Sequence, residues 1–305
     1  MQTVGRFAPS PSGRMHLGNV LCALLAWLSA RHQNGAFLLR IEDLDAMRCP
    51  RSYADLIMDD LRWLGLDWDG EVPYQSERAP IYEKYEQILR EKGLLYPCFC
   101  SRAALHAASA PHLSDGRVLY AGTCRELTPA EIEEKRKKRA PATRVRVPDE
   151  IISFTDGVFG AYSENLAEEC GDFIIRRSDG VLAYQLAVTV DDGLSGVTEV
   201  VRGSDLISST PRQIWLYRLF GFEPPHFVHI PLLCDVDGRR LSKRDEDLDL
   251  GLLRERFTPE QVIGALAFAA HLTDRAEPAS VRELVQDFDW SRIPRHELYL
   301  PPMFR

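Results

Sequence analysis

The sequence has no apolar run long enough to cross a membrane. Its longest N-terminal stretch free of Asp, Glu, Lys and Arg runs from Met15 to Ala30 and includes a His and an Asn. That is short of the ~20 apolar residues a span needs. No basic-then-apolar leader precedes it, because Arg6 and Pro9 come too early. A cytoplasmic location with no membrane partner is expected. Internal repeats and low-complexity tracts are also missing. With 45% hydrophobic and 27% charged residues, disorder and collagen are excluded as well. The 305 residues allow one large domain or two smaller ones.

The seven cysteines are an odd number in a long chain, so a full disulfide framework is not expected. Cys22, Cys49, Cys170 and Cys234 are scattered, whereas Cys98, Cys100 and Cys124 cluster. The net charge of −8 argues weakly against a nucleic-acid partner. Its distribution matters more. Residues 125–146 carry eight Lys/Arg against four Asp/Glu, and residues 239–244 hold Arg239, Arg240, Lys243 and Arg244 with no acid. An acidic body with two basic segments can still bind a polyanion.

A strand-like run, Thr3 to Phe7, leads into Ala8-Pro9-Ser10-Pro11-Ser12-Gly13, where two prolines and a glycine stop regular structure. A helix follows over about Leu17–His32, apolar on nearly all sides and therefore buried. Asn34-Gly35 ends it, and Ala36–Ile41 reads as a buried strand. This is a strand–loop–helix–strand unit of α/β type. Helices are expected near Ser52–Leu64 and Ala79–Lys92. From about Tyr96 to Glu169 the character changes to cysteines, a Gly/Pro/Ser-rich middle, a basic helix near Pro129–Arg139, and β-like runs at Thr143–Val147 and Ile151–Phe154. That pattern reads as an insertion. The α/β pattern resumes with Phe173–Ile175, Leu182–Val190 and a helix near Ser208–Phe220. The C-terminal stretch reads as helical, with candidates at Leu252–Arg256, Pro259–His271 and Ala279–Phe288.

A loop that opens a helix exposes backbone N–H groups and the positive end of the helix dipole, which favour a phosphate. His16 stands at that mouth, where an imidazole could donate to a phosphate oxygen. Neither a Walker loop nor a GxGxxG fingerprint is present, and a lone His-x-Gly is more often a simple helix cap. In the insertion, three clustered thiols suggest a tetrahedral structural zinc. Spacing alone favours His106 or His112 as the fourth ligand.

The wider string resolves the first ambiguity. Arg6-Phe-Ala-Pro-Ser-Pro-Ser-Gly, His16-Leu-Gly-Asn19 and Leu39-Arg-Ile-Glu-Asp43 resemble the opening of the glutamyl-tRNA synthetases. His16-Leu17-Gly18-Asn19 corresponds to the HIGH signature of class I aminoacyl-tRNA synthetases, with Asn19 in place of the second His. Arg240-Leu-Ser-Lys-Arg244 is similar to the KMSKS loop, with Arg240 and Leu241 in place of Lys and Met. Val201-Arg-Gly-Ser-Asp205 and Ser209-Thr-Pro-Arg-Gln213 are similar to the same family. The resemblance covers about residues 4–260, with the motifs in order.

The resemblance implies an α/β class I fold: a Rossmann-type nucleotide-binding domain, a zinc-containing insertion and a short C-terminal helical module. The expected divisions are 1–95 and 171–235 for the two Rossmann halves, 96–170 for an acceptor-binding insertion, and 236–305 for the KMSKS-like loop and a stem-contact module. The family reaction is attack of the glutamate α-carboxylate on the α-phosphate of ATP, supplied with magnesium, with loss of pyrophosphate. Its catalysis is positioning plus electrostatic stabilisation. His16 and Lys243 are the expected charge-stabilising groups, and His16, Gly18, Asn19 and Lys243 the ATP site. A solvated basic turn is the plainer reading of Lys243 taken alone.

A selective glutamate pocket needs a fixed cation for the side-chain carboxylate, and a guanidinium suits it. Arg6 is the first candidate and Arg202 the second. Glu42 fits the substrate ammonium; the plainer alternative is a surface ion pair with Arg40. Tyr184 supplies a hydroxyl and an aromatic wall. By resemblance, Arg6, Phe7, Ala8, Pro9, Ser10, Glu42, Tyr184 and Arg202 form the amino-acid site.

Cys-x-Cys followed by Tyr-x-x-x-Cys also looks like the zinc site of shorter relatives, the glutamyl-queuosine tRNA(Asp) synthetases. That makes Tyr120 the fourth ligand beside Cys98, Cys100 and Cys124. The short stretch after Arg244 matches the same relatives, which carry no anticodon-binding domain. The resemblance implies activation of glutamate without tRNA, then transfer to queuosine at the wobble position of tRNA(Asp), by an expected monomer. The alternatives are a glutamyl-tRNA synthetase that charges the tRNA 3′ end and a catalytically idle tRNA-binding paralogue. Lys135–Arg139 could contact tRNA phosphates, or form a solvated face balanced by Glu131, Glu133 and Glu134.

Overall fold

The computed structural model describes residues 2–101, 119–235 and 249–304. Lys243, His106 and His112 lie outside the described residues. Strand β1 (Val4–Phe7) pairs in parallel with β2 (Ala36–Leu39), and helix α1 (Leu17–His32) forms the crossover between them. Eleven of its residues are buried, Leu17, Leu24, Leu25 and Leu28 completely. Each such leucine contributes roughly 1.5–3 kcal/mol by leaving water. Asn34 turns left-handed (φ 52°) after the helix. Gly35 then passes so close to β1 that a Cβ there would stand 2.4 Å from the Thr3 carbonyl. Any other residue would push β2 away.

A second parallel pair is β8 (Glu199–Gly203) with β9 (His226–Ile230). It lies beside β1: the Thr198 amide donates to the Val4 carbonyl at 2.9 Å, and the Val4 amide to Thr198 Oγ1 at 2.9 Å. The two parallel pairs lie side by side, β1 next to β8, and form an α/β core. Its strand C-termini all face one crevice, the usual ligand position in such folds. Helices α2 (Arg51–Trp63) and α3 (Ala79–Glu91) follow β2, each within a residue of its expected bounds.

The inserted lobe contains β3 (Leu95–Cys98), α4 (Pro129–Arg136), β4 (Ala142–Val145) and the hairpin β5 (Ile151–Asp156) and β6 (Gly160–Asn165). Here the expected element pattern needs correcting. Strand β7 (Phe173–Arg176) pairs antiparallel with β4, which pairs antiparallel with β3. That sheet crosses the expected division at residues 170 and 171. Leu182–Val190 falls mostly on helix α5 (Tyr184–Leu194). Helix α6 (Thr210–Phe220) packs against it.

At the C-terminus come α7 (Leu250–Arg256), α8 (Pro259–Ala269) and the single turn α9 (Val281–Leu284). The helix expected over Ala279–Phe288 is cut to that turn. These elements share a hydrophobic core with α1: Leu250, Val262, Leu266 and Val281 belong to the cluster that holds Leu21 and Leu24. Polar ties reinforce it. Asp60 on α2 is fully buried between Arg14 (2.9 Å) and Arg254 (2.7 Å), and Trp290 Nε1 donates to Ser29 Oγ at 3.1 Å. Among the described residues, no helix is long and apolar enough to cross a membrane.

Candidate active site and cysteine cluster

The crevice at the strand ends is a cleft of about 390 Å³. Arg6, Phe7, Ala8, Pro9, Ser10, His16, Gly18, Asn19, Glu42, Tyr184 and Arg202 all line it. The structure therefore brings together every described residue expected for the amino-acid and ATP sites. Arg6 and Phe7 come from the end of β1, Ala8, Pro9 and Ser10 from the turn after it, His16, Gly18 and Asn19 from the mouth of α1, Glu42 from just after β2 and Arg202 from β8. Tyr184 comes from the first turn of α5.

His16 is the N-cap of α1. Its Nδ1 accepts from the Gly18 amide at 3.1 Å, and Asn19 Oδ1 accepts from the His16 amide at 3.4 Å. Capping and phosphate donation are compatible. With Nδ1 accepting, the ring proton sits on Nε2, the nitrogen free of the capping task. Asn19 thus closes a capping box at the position where the signature has its second His.

The two arginines are held differently. Arg6 donates to Asp192 at 3.4 Å and to the Val201 carbonyl at 3.1 Å. Asp192 also accepts from Arg40 at 2.6 Å. Burial works to raise the Asp192 carboxyl, but Arg40 and Arg6 hold it below its ordinary value. Arg202 is 4% exposed and is held by His229 Nε2 (3.0 Å), Gln213 Oε1 (2.8 Å), Thr210 Oγ1 (2.7 Å) and the Leu206 carbonyl (3.4 Å). None of these four groups is anionic. Burial lowers the Arg202 pKa, as it does for a cation short of counter-charge. Among the described residues Arg202 hydrogen-bonds to no carboxylate, while Arg6 pairs with Asp192.

Glu42 does pair with Arg40, at 3.1 Å, but the pair is buried and not on the surface. Burial raises the Glu42 carboxyl, and Arg40 only partly offsets it. Arg40 is shared among Glu42, Asp192 and Asp191. Asp191 in turn accepts from Gln75, Arg78 and Tyr82, each at 2.8 Å. Asp191, Asp192, His229 and Asp156 were not singled out from the sequence. Two adjacent acids inside the apolar run of α5 were the available signal. Gln213 and Thr210 sat in a quoted motif without an assigned role.

In the lobe, the Sγ atoms of Cys98, Cys100 and Cys124 all lie within 4.8 Å of one another. A tetrahedral zinc with Zn–S bonds of ~2.3 Å separates its sulfurs by about 3.8 Å. Cys100 and Cys124 stand 3.7 Å apart. The Tyr120 hydroxyl is 3.6 Å from Cys98 Sγ, against about 3.5 Å for sulfur and oxygen on one zinc. Three thiols and a phenol at these separations fit such an ion. Burial raises the Cys98 thiol, but hydrogen bonds from the Cys100 amide, Tyr120 and Arg144 outweigh it and leave the group below its ordinary value. Burial and the neighbouring sulfurs push Cys100 up to about 12. Burial and Cys98 raise Tyr120 as well. A divalent cation would reverse both upward shifts. The Arg144 guanidinium lies 3.8 Å over the Tyr120 ring and donates to Cys98 Sγ at 3.3 Å.

The basic helix favours the balanced reading. Lys137 pairs with Glu134 at 2.9 Å, Arg136 with Glu133 at 3.8 Å and Lys138 with Glu134 at 4.0 Å.

The family description "tRNA synthetases class I (E and Q), catalytic domain" matches residues 2–291. The chain belongs to that family. A relative from Symbiobacterium thermophilum named "Glutamyl-Q tRNA(Asp) synthetase" is 50% identical over 97% of this chain and 95% of its own length. Relatives of the same name from Nitratidesulfovibrio vulgaris and Geobacter sulfurreducens are 46% and 48% identical, over 97% and 95% of this chain and 95% and 93% of theirs. The chain resembles the crystal structure of a glutamate tRNA ligase from Elizabethkingia meningosepticum in complex with its amino acid. The TM-score is 0.84 at 28% identity, covering 100% of this chain and 68% of that one. As a class I synthetase of this branch, the chain is a ligase of the aminoacyl-tRNA synthetase type with the α/β fold expected of one.

Proposed function

We propose that this chain activates glutamate with ATP and transfers it to queuosine in tRNA(Asp). The observation that carries the reading is the 50% identity, across nearly all of both chains, to a glutamyl-Q tRNA(Asp) synthetase. The solved glutamate tRNA ligase is more distant at 28%. The cleft supports the first half-reaction. Arg202, assisted by Arg6, binds the side-chain carboxylate; Glu42 takes the ammonium; Tyr184 walls the pocket. His16 Nε2 donates to the α-phosphate as glutamate attacks, Gly18 and Asn19 keep the helix mouth open to ATP, and Lys243 supplies a positive charge. ATP enters with magnesium, and pyrophosphate leaves. In the second half-reaction a hydroxyl of the cyclopentenediol ring attacks the glutamyl carbonyl and AMP leaves. Cys98, Cys100, Cys124 and Tyr120 hold one structural zinc that ties the acceptor-side lobe together. Two Rossmann halves, an inserted lobe whose sheet also takes in β7, a C-terminal module, a monomeric state and a cytoplasmic location complete the proposal.

Two measurements test it. Glutamate-dependent pyrophosphate–ATP exchange is expected without any tRNA; its absence would sink the activation step. Labelled glutamate is expected in tRNA(Asp) that carries queuosine and not in tRNA(Asp) that lacks it. Label on tRNA(Glu) that disappears when the 3′ end is blocked would replace the acceptor with the terminal ribose.

A further inference from the structure

Behind Arg202 stands a polar chain that the proposed reaction does not use. His229 on β9 is fully buried. Its Nε2 faces Arg202 Nε at 3.0 Å, and its Nδ1 faces Asp156 Oδ2 at 2.6 Å. The His229 amide also donates to Asp156 Oδ2 at 3.0 Å. The other Asp156 oxygen accepts from the Val158 and Phe159 amides at 3.0 and 2.9 Å. Asp156 closes the β5 strand of the inserted hairpin, so this carboxylate reaches the parallel core from another lobe.

The donor and acceptor roles in this chain are forced. A guanidinium can only donate. Nε2 must therefore present a lone pair to Arg202, and the single proton of a neutral imidazole must sit on Nδ1. The Asp156 carboxylate, which can only accept, selects that tautomer. Burial pulls the His229 pKa down, consistent with a neutral ring. A carboxylate placed directly against Arg202 would hold the arginine too, but would neutralise its charge. An imidazole placed between them orients the fork and leaves the charge for a ligand.

We propose that His229, fixed in its Nδ1–H tautomer by Asp156, is a positioning residue that aims an un-neutralised Arg202 at the substrate's side-chain carboxylate. The inference rests on the reading of Arg202 as the carboxylate-binding cation. Its signature is a selective loss of glutamate affinity. His229→Asn keeps a group near Asp156 but removes the acceptor for Arg202. It should raise KM for glutamate in pyrophosphate exchange by roughly 10- to 100-fold. KM for ATP should stay within about twofold, because the helix mouth at His16 is untouched. His229→Gln puts an amide oxygen near the Nε2 position and should recover most of the loss. In Asp156→Asn the Val158 and Phe159 amides hold the carboxamide oxygen, so its NH2 faces His229. The tautomer then flips, and KM for glutamate should rise as in His229→Asn.

Nitrogen-15 NMR of histidine-labelled wild-type protein gives a readout that needs no variant to fold. His229 should show a protonated Nδ1 and a bare Nε2 at neutral pH. An Nε2–H tautomer or a doubly protonated ring would overturn the proposal. So would an unchanged KM for glutamate in His229→Asn, or an equal rise in the KM for ATP. Arg202→Gln separates this failure from failure of the parent reading. If Arg202→Gln raises KM for glutamate and His229→Asn does not, only the positioning role falls. If Arg202→Gln has no effect, the carboxylate assignment falls and this inference with it.

Discussion

The cleft and the cysteine lobe assemble their polar groups by opposite routes. In the cleft, apart from the Arg40–Glu42 pair, buried charges meet residues distant in sequence: Arg6 with Asp192, Arg40 with Asp192, Arg202 with His229. The partners sit on different strands and helices, and the parallel core sets their spacing. In the lobe, Cys98, Cys100, Tyr120 and Cys124 come from one stretch of chain, and their separations fit a tetrahedral cation. The cleft is organised by the fold; the lobe would be organised by the proposed zinc. Damage should therefore spread from the cleft through the whole protein, and stay local in the lobe.

The sharpest break of that contrast is Asp192→Asn. It leaves the Arg6 and Arg40 guanidiniums short of counter-charge in a buried site, at a cost of about 3–5 kcal/mol. Denaturant titration should show one cooperative transition at a much lower midpoint. A loss under about 1 kcal/mol would mean that the charge web does not organise the cleft. Metal removal should do less and do it locally. Metal analysis is expected to find one zinc per chain. Chelation should raise hydrogen exchange around residues 96–124 while tRNA-independent pyrophosphate exchange continues. Tyr120→Phe should weaken zinc retention; if His106→Ala or His112→Ala releases the metal and Tyr120→Phe does not, the fourth ligand is a histidine.

The smallest effect concerns pH. Burial holds the His229 pKa below 6.5 in the folded state. The unfolded chain therefore binds a proton there first, and stability present above pH 6.5 declines as pH falls toward the folded value. His226 acts in the opposite sense, since Glu199 raises its pKa and its contribution is lost as pH rises through that value. The slope attributable to His229 is at most about 1.4 kcal/mol per pH unit, and His229→Gln should remove it. Identical slopes between pH 7 and 5.5 in the two proteins would show that His229 titrates alike in the folded and the unfolded chain.

What was legible in the sequence follows the same contrast. Helix α1 and its stop at Asn34-Gly35 could be read because apolar composition and left-handed turn chemistry are local. The cleft residues could be read because their motifs are contiguous strings at strand ends. Strands β8 and β9 were not delineated, since a short buried parallel strand is defined by its neighbours and not by its own pattern. The placement of β7 failed for the same reason: Phe173–Ile175 looks alike in either sheet, and only its pairing with β4 decides. Asp156 and His229 carry no local signal at all. They lie on different lobes and acquire meaning only when the hairpin docks on β9.

The buried Asp60 with its two arginines, and the core that α8 shares with α1, bear on how force would pass through the molecule. The C-terminal elements are bolted to the same helix whose first residue is capped by His16. Among the described residues they share the hydrophobic core of α1 and show no separate one. Any RNA stem resting on them would be registered in the coordinate frame of the cleft itself.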